Sequence, residues 1–201
     1  MILLNPGPVN VSDRVRRALS RPDICHRESE FADLLHRIQQ KLLRAFVPGA
    51  ESDYVAIVLS GSGTAAVEAA VMSCLPHGKR MMVINNGVYG ERISNMIGLD
   101  RLGVSELKLD WSARLDPERL RLALTQHPEV HAVAMVHHET TTGLVNNVKE
   151  LADVVDSQNR VCVLDSVSGL AGESLDIPGS HIYMVAGTAG TIIALGGGLV
   201  G

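Results

Sequence analysis

Tyr54-Val55-Ala56-Ile57-Val58-Leu59-Ser60-Gly61-Ser62-Gly63-Thr64 decides how the rest of the chain is read. Tyr54 to Leu59 is an apolar, β-prone run. Ala65 to Cys74, directly after it, carries apolar residues at helical spacing. Strand, Gly/Ser/Thr turn and helix together make a phosphate cradle. The glycines let backbone approach an anion, the helix start offers unpaired N–H groups and a positive dipole end, and the hydroxyls add donors. No lysine follows the last glycine, which excludes a Walker A loop. Gly61-Ser62-Gly63-Thr64-Ala65-Ala66 fits the loose dinucleotide pattern, but the next run, Arg80 to Ile84, ends in Asn85-Asn86-Gly87 and not in the acid a ribose requires. A tight turn with no ligand is the remaining alternative for the loop alone.

Outward from this stretch, strands and helices alternate. Strands are predicted at Val55–Leu59, Met81–Ile84, Glu106–Leu109, Ala132–Val136 and Val161–Leu164. Helices are predicted at Ala65–Cys74, Glu91–Leu99, Pro117–Gln126 and Val148–Ser157. Short unbroken apolar strands belong to a sheet covered on both faces, so the fold class is α/β with a mainly parallel sheet sandwiched by helices. Upstream, Ser12 caps a short helix through Leu19. A longer amphipathic helix from about Glu30 to Phe46 carries Phe31, Leu34, Leu35, Ile38, Leu42, Leu43 and Phe46 on one face, and Pro48-Gly49 ends it. Pro6-Gly7-Pro8 is a rigid, turn-rich entry.

The composition narrows the function classes. Of 201 residues, 46% are hydrophobic and 20% charged, with a net charge of −4 and no basic cluster, which argues against nucleic acid as a partner. No run approaches the ~20 apolar residues of a membrane span, and the start has neither the basic flank nor the apolar core of a signal peptide. The 3 cysteines, Cys25, Cys74 and Cys162, are scattered, with no metal spacing or disulfide framework, which fits a reducing cytoplasmic setting. Cys162 lies inside an apolar strand and reads as core. His137 and His138 are neighbours on a strand and point to opposite faces, which disfavours a shared metal.

In a parallel α/β sheet ligands bind beyond the carboxyl ends of the strands. Those ends carry the Ser60–Thr64 cradle, Asn86-Gly87-Val88-Tyr89-Gly90, His137-His138-Glu139-Thr140-Thr141-Thr142-Gly143 and Asp165-Ser166-Val167-Ser168. Each has a plain reading: Tyr89 as packing, the threonines as caps of the next helix, Asp165 as a turn residue. Jointly they supply a phosphate cradle, an aromatic plate, hydroxyl donors and a carboxylate. That set suits pyridoxal phosphate, whose ring acts as an electron sink when a carboxylate keeps its nitrogen protonated.

These motifs resemble those of the class V, fold-type I, pyridoxal-phosphate aminotransferases, and most of all the branch acting on 2-aminoethylphosphonate and pyruvate. The resemblance is carried by Leu3-Leu4-Asn5-Pro6-Gly7-Pro8, Gly61-Ser62-Gly63-Thr64, Ala66-Val67-Glu68-Ala69, Asn86 to Arg92, Ala134 to Gly143, Asp165 to Ser168 and Ala186-Gly187-Thr188-Ala189-Gly190. It covers the N-terminal half of a typical member.

The resemblance implies pyridoxal 5′-phosphate as cofactor, an amino donor and a 2-oxo acid acceptor as substrates, and a homodimer. It implies that Ser62, Gly63 and Thr64 hold the phosphate, Tyr89 stacks on the ring, Thr140 bonds the ring hydroxyl, Asp165 bonds the ring nitrogen and Val167 covers the other ring face. It places Pro6-Gly7-Pro8 near the substrate. It divides the chain into an N-terminal arm and helix (1–50) and a cofactor-binding large domain (51–201), without the family's small C-terminal domain or its substrate-carboxylate arginine. The glyoxylate-dependent alanine and serine transaminases share most of these motifs and are the alternative.

The chain departs from the family at its end, where residues 191–201 do not resemble what normally follows. The Schiff-base lysine belongs directly after Gly190, and here Thr191 stands there; the 4 lysines are Lys41, Lys79, Lys108 and Lys149. A hydroxyl cannot form an imine. Two expectations follow: a truncated or frameshifted product or fragment of a functional transaminase, or a non-catalytic cofactor-binding or interaction domain. The uncharged aliphatic tail 191–201 is expected to be poorly packed and to favour association.

Overall fold

In a computed structural model of the chain, residues 2–3, 9–99 and 103–188 are described. The Pro6-Gly7-Pro8 loop, Thr191 and the tail lie outside them. Helices α1 (Asp13–Ala18) and α2 (Ser29–Phe46) come first, α1 capped by the Ser12 hydroxyl as its sequence predicts. An alternating series follows: α3 (Gly63–Ser73), β1 (Arg80–Asn85), α4 (Val88–Leu99), β2 (Gly103–Lys108), α5 (Pro117–Gln126) and β3 (Val130–Val136). The short strands β4 (His138–Glu139) and β5 (Leu144–Val145) form an antiparallel pair. Then come α6 (Val148–Ser157), β6 (Val161–Asp165) and β7 (Met184–Ala186).

The main sheet is parallel, in the order β2-β1-β3-β6-β7. Alternation along each strand divides the core between the two faces. Met82, Ile84, Val133, Met135 and Leu164 meet Leu120 and Leu124 of α5 and Leu151 and Val155 of α6 on one face. Met81, Val83, Ala132, Ala134 and Val163 meet Val67 and Val71 of α3 and Ile93 and Ile97 of α4 on the other. Helices on both faces explain why β1, β3 and β6 read as continuous apolar runs. Cys162, 1% exposed, is part of this core, and burial pushes its thiol up to about 12, so it stays protonated. Among the described residues no helix is long and apolar enough to cross a membrane.

One expectation is corrected. Val55–Leu59 forms no strand. It is non-regular chain, with Val55 81% and Ile57 73% exposed, and Gln39 Nε2 donates to the Ala56 carbonyl at 2.9 Å. An apolar β-prone run becomes a strand only where a neighbour completes its ladder. Among the described residues no strand pairs with it. The apolar face of α2 is real, but none of its residues is fully buried. Leu42, Leu43 and Phe46 lean on the sheet core, while Phe31, Leu34, Leu35 and Ile38 are half-covered.

Helix α3 packs more closely on β7 and β6 than on β1, the strand that follows it. It crosses to β6 and β7. Its last turn meets β7 through Cys74 Sγ, 3.9 Å from Met184 Sδ, and its first residue lies against Val167 and Thr188, just beyond the carboxyl ends of β6 and β7. The Gly/Ser/Thr loop thus reaches the strand ends by helix packing, without a strand of its own in front of it.

Candidate functional site

The Ser60–Thr64 loop opens α3, and Ser62 is its N-cap, accepting from the Ala65 N–H at 3.2 Å. The N–H groups of Gly63 and Thr64 fall in the first turn, where no intrahelical acceptor exists. A side chain on Gly63 would strike Val167 Cγ1 at 2.7 Å and Thr188 Cγ2 at 2.6 Å, so only glycine permits this contact with the ends of β6 and β7. The loop carrying Ser62, Gly63 and Thr64 therefore lies beside Val167, two residues from Asp165.

Tyr89 stands in the first turn of α4, half-buried, and its hydroxyl accepts from Thr140 Oγ1 at 3.5 Å. Arg92, one turn further on, places its guanidinium 5.0 Å from the centre of the Tyr89 ring and donates to Thr64 Oγ1 at 3.4 Å. It thus links the loop of α3 to the aromatic residue of α4. Thr140 lies at the tip of the β4–β5 hairpin, where Gly143 takes a left-handed φ of +74° and the N–H groups of Thr142 and Gly143 donate to the Glu139 carbonyl at 3.1 and 2.8 Å. The threonines belong to this tip and do not cap α6, whose N-cap is Asn147.

Asp165 ends β6 in the sheet interior, 9% exposed, with Oδ1 accepting from the Val167 N–H at 3.0 Å. Burial pushes its carboxyl up to about 6. The Val167 N–H and Arg92 pull it down, and the charge of Glu139 adds to the rise. The upward shift outweighs the two opposing contacts, so the carboxylate is short of positive partners. A carboxyl raised in the folded state contributes stability that is fully present below 3.8 and lost as pH rises through about 6. Relative to Asp165→Asn, the unliganded chain should lose up to about 3 kcal/mol between about pH 4 and about pH 7, measured by urea unfolding. His137 titrates nearby, held below its ordinary value by burial, but it is common to both proteins and drops out of the difference. A pH-independent difference would show that Asp165 is not the buried acid described.

The sequence reading passed over three supports. Glu139 is fully buried, and its carboxylate accepts from the N–H groups of Tyr89 at 3.2 Å and Gly90 at 2.8 Å. Asn86 donates to Asn146 Oδ1 at 2.9 Å and to the Ala113 carbonyl at 3.0 Å, while Asn146 donates to the Val136 carbonyl at 2.8 Å. His137 Nδ1 lies 3.0 Å from Ser166 Oγ, and Ser168 Oγ donates to the His138 carbonyl at 2.8 Å. These bonds bind the ends of β1, β3 and β6 into one frame. The available signal was a cluster of polar residues directly after apolar strands, which marks the place without naming the partners.

Ser62, Gly63, Thr64, Tyr89, Thr140, Asp165 and Val167 thus come from α3, α4, the hairpin and the end of β6 to one side of the sheet. Thr191 is outside the described residues.

Residues 14–192 match the family model of the class V aminotransferases. The chain is 38% identical over 178 residues to a 2-aminoethylphosphonate–pyruvate transaminase of Syntrophobacter fumaroxidans, covering 88% of this chain and 47% of that protein. It is 32% identical over 177 residues to a transaminase of the same name from Vibrio vulnificus, again covering 88% and 47%. Among solved structures it resembles an alanine–glyoxylate aminotransferase from Nostoc sp., with a TM-score of 0.82 and 26% identity over 90% of this chain and 47% of that one. A pyridoxamine–pyruvate aminotransferase from Mesorhizobium loti shares the fold, with a TM-score of 0.84 at 23% identity over 94% of this chain and 47% of that one. The chain spans about half the length of the relatives it matches.

Proposed function

The chain belongs to the class V aminotransferases, a family whose cofactor is pyridoxal 5′-phosphate, and on that premise we propose that it supplies the cofactor-holding half of a transaminase. The carrying observation is the Gly63 loop, wedged against Val167 beside a buried carboxylate that lacks enough positive charge. A phosphorylated, protonated pyridine offers what both parts lack: an anion for the first turn of α3 and a cation for Asp165.

In this reading Ser62, Gly63 and Thr64 bind the phosphate through the helix start and two hydroxyls. Tyr89 lies against one ring face and Val167 against the other, Thr140 bonds the ring hydroxyl, and Asp165 holds the proton on the ring nitrogen. When bound, such a ring draws electrons from the amino-bearing carbon of a donor. Residues 1–50 form an arm and helix, and 51–201 the cofactor-binding domain. The half-covered apolar face of α2 is compatible with a homodimer.

The identity to 2-aminoethylphosphonate–pyruvate transaminases supports an amino group moving from 2-aminoethylphosphonate to pyruvate, which gives phosphonoacetaldehyde and alanine. Thr191 supports a second reading, in which the chain binds the cofactor without turning over donors. Equilibrium titration with pyridoxal phosphate, followed by absorbance, tests the shared premise. Saturable one-to-one binding is expected, and no binding at millimolar cofactor would refute it. Alanine formation from 2-aminoethylphosphonate and pyruvate would then favour the first reading over the second.

A further inference from the structure

We infer that Glu139 is a positioning residue of the candidate site: its carboxylate, clamped onto the first turn of α4, fixes where the Tyr89 ring stands. The ligand-binding part of this inference rests on the cofactor reading above.

Glu139 has an unusually determined setting. Its backbone is held by pairing with Leu144 across the hairpin and by two amides, from Thr142 and Gly143, on its carbonyl. Its side chain is fully buried, and the two carboxylate oxygens are divided between two successive amides: Oε2 accepts from Tyr89 at 3.2 Å and Oε1 from Gly90 at 2.8 Å. These amides are among those a helix start leaves without intrahelical partners, and a negative charge there faces the positive end of the dipole. A side chain at Gly87 would run into Glu139 Cδ at 2.6 Å, so glycine at that position lets the turn close onto the carboxylate. Tyr89 is tied to the same hairpin twice, through its N–H to Glu139 and through its hydroxyl to Thr140.

A buried carboxylate is costly unless its bonds are satisfied, and charge-assisted bonds are the strong ones. A neutral core residue could fill the same volume but could not hold both amides. The charge of Glu139 also reaches Asp165, where it opposes the pull of Arg92. Replacing it should therefore move the ring and the acid together, a signature that loss of packing alone would not produce.

The test compares Glu139→Gln, which keeps the volume and loses the charge, with Glu139→Asp, which keeps the charge on a shorter arm. Amide exchange at Tyr89 and Gly90 should quicken in both variants, on the order of tenfold in Glu139→Gln, with β1, β3 and β6 unchanged. The Asp165 carboxyl, followed by carbon NMR, should titrate lower in Glu139→Gln and stay raised in Glu139→Asp. Affinity for pyridoxal phosphate should fall on the order of tenfold in Glu139→Gln. Exchange at Tyr89 and Gly90 within twofold of the parent, or an equal rise throughout the sheet, would overturn the inference. Failure of the parent to bind pyridoxal phosphate would sink the cofactor reading instead, and the exchange and titration results would still decide the role of Glu139.

Discussion

Borohydride treatment of the chain saturated with pyridoxal phosphate should leave its intact mass unchanged, and the same treatment of Thr191→Lys should add one phosphopyridoxyl group. Thr191 directly follows the Ala186-Gly187-Thr188-Ala189-Gly190 segment and stands three residues beyond Thr188, whose methyl lies where a Gly63 side chain would reach. Borohydride fixes only an imine, and a hydroxyl forms none with an aldehyde. The effect is close to all-or-none, because no lysine of the chain lies on α3, α4, the β4–β5 hairpin or β6, which carry the candidate site. Lys41 is on α2 and Lys79 precedes β1. Lys149 lies on α6 with its ammonium 3.0 Å from Asp153 and 2.9 Å from the Gly179 carbonyl. Lys108 ends the edge strand β2, on the carboxyl side of the sheet. A stoichiometric adduct on the unaltered chain would refute the argument, and peptide mapping would show whether Lys108 had supplied the amine.

Asp165→Asn should weaken noncovalent pyridoxal phosphate binding by about 30-fold or more while making the ligand-free chain more stable at neutral pH. The two effects have opposite signs for one reason. Without ligand, the carboxylate is buried with too little positive charge around it, and an uncharged amide of the same shape relieves that. With ligand, in the proposed arrangement, the carboxylate would face a protonated ring nitrogen, and removing one partner of a buried charged pair costs on the order of 2–5 kcal/mol. Destabilised residues that improve with substitution at the expense of function mark working sites. Calorimetric titration and urea unfolding of both proteins in one buffer decide the matter. An affinity loss below threefold, or a parallel loss of stability, would show that Asp165 is a framework residue and not a contact to the ring.

Much of this is legible in the sequence because the information is local. Pro117–Gln126 and Val148–Ser157 are helices at the predicted bounds, since 3.6-residue spacing, with the Asp116 cap in the first of them, acts within a few residues. The apolar runs of β1, β3 and β6 report a sheet covered on both faces, and the polar clusters after them mark its carboxyl end. The joint set at the strand ends already suited pyridoxal phosphate, and the resemblance then gave individual roles to Ser62, Thr64, Tyr89, Thr140 and Asp165. What stayed hidden depends on partners distant in sequence. Glu139 reads as one more polar residue between two histidines and three threonines, and only its meeting with the amides of Tyr89 and Gly90, about fifty positions earlier, gives it a task.

The sequence by itself determined the alternation of helices and strands from α3 to β6, a sheet covered on both faces, the Ser12 cap and the chemical types gathered at the strand ends. It also determined that position 191 carries a hydroxyl and no amine. Only the tertiary structure decided that α3 crosses to β6 and β7 and brings Gly63 against Val167, and that Val55–Leu59, despite its composition, pairs with no strand among the described residues. The same holds for the burial of Asp165 and the push on its titration. The physical reason is the range of the forces. Propensity and capping are settled by neighbours in the chain, whereas a ladder, a Cβ-free contact or a desolvated charge exists only once segments far apart in sequence are brought together.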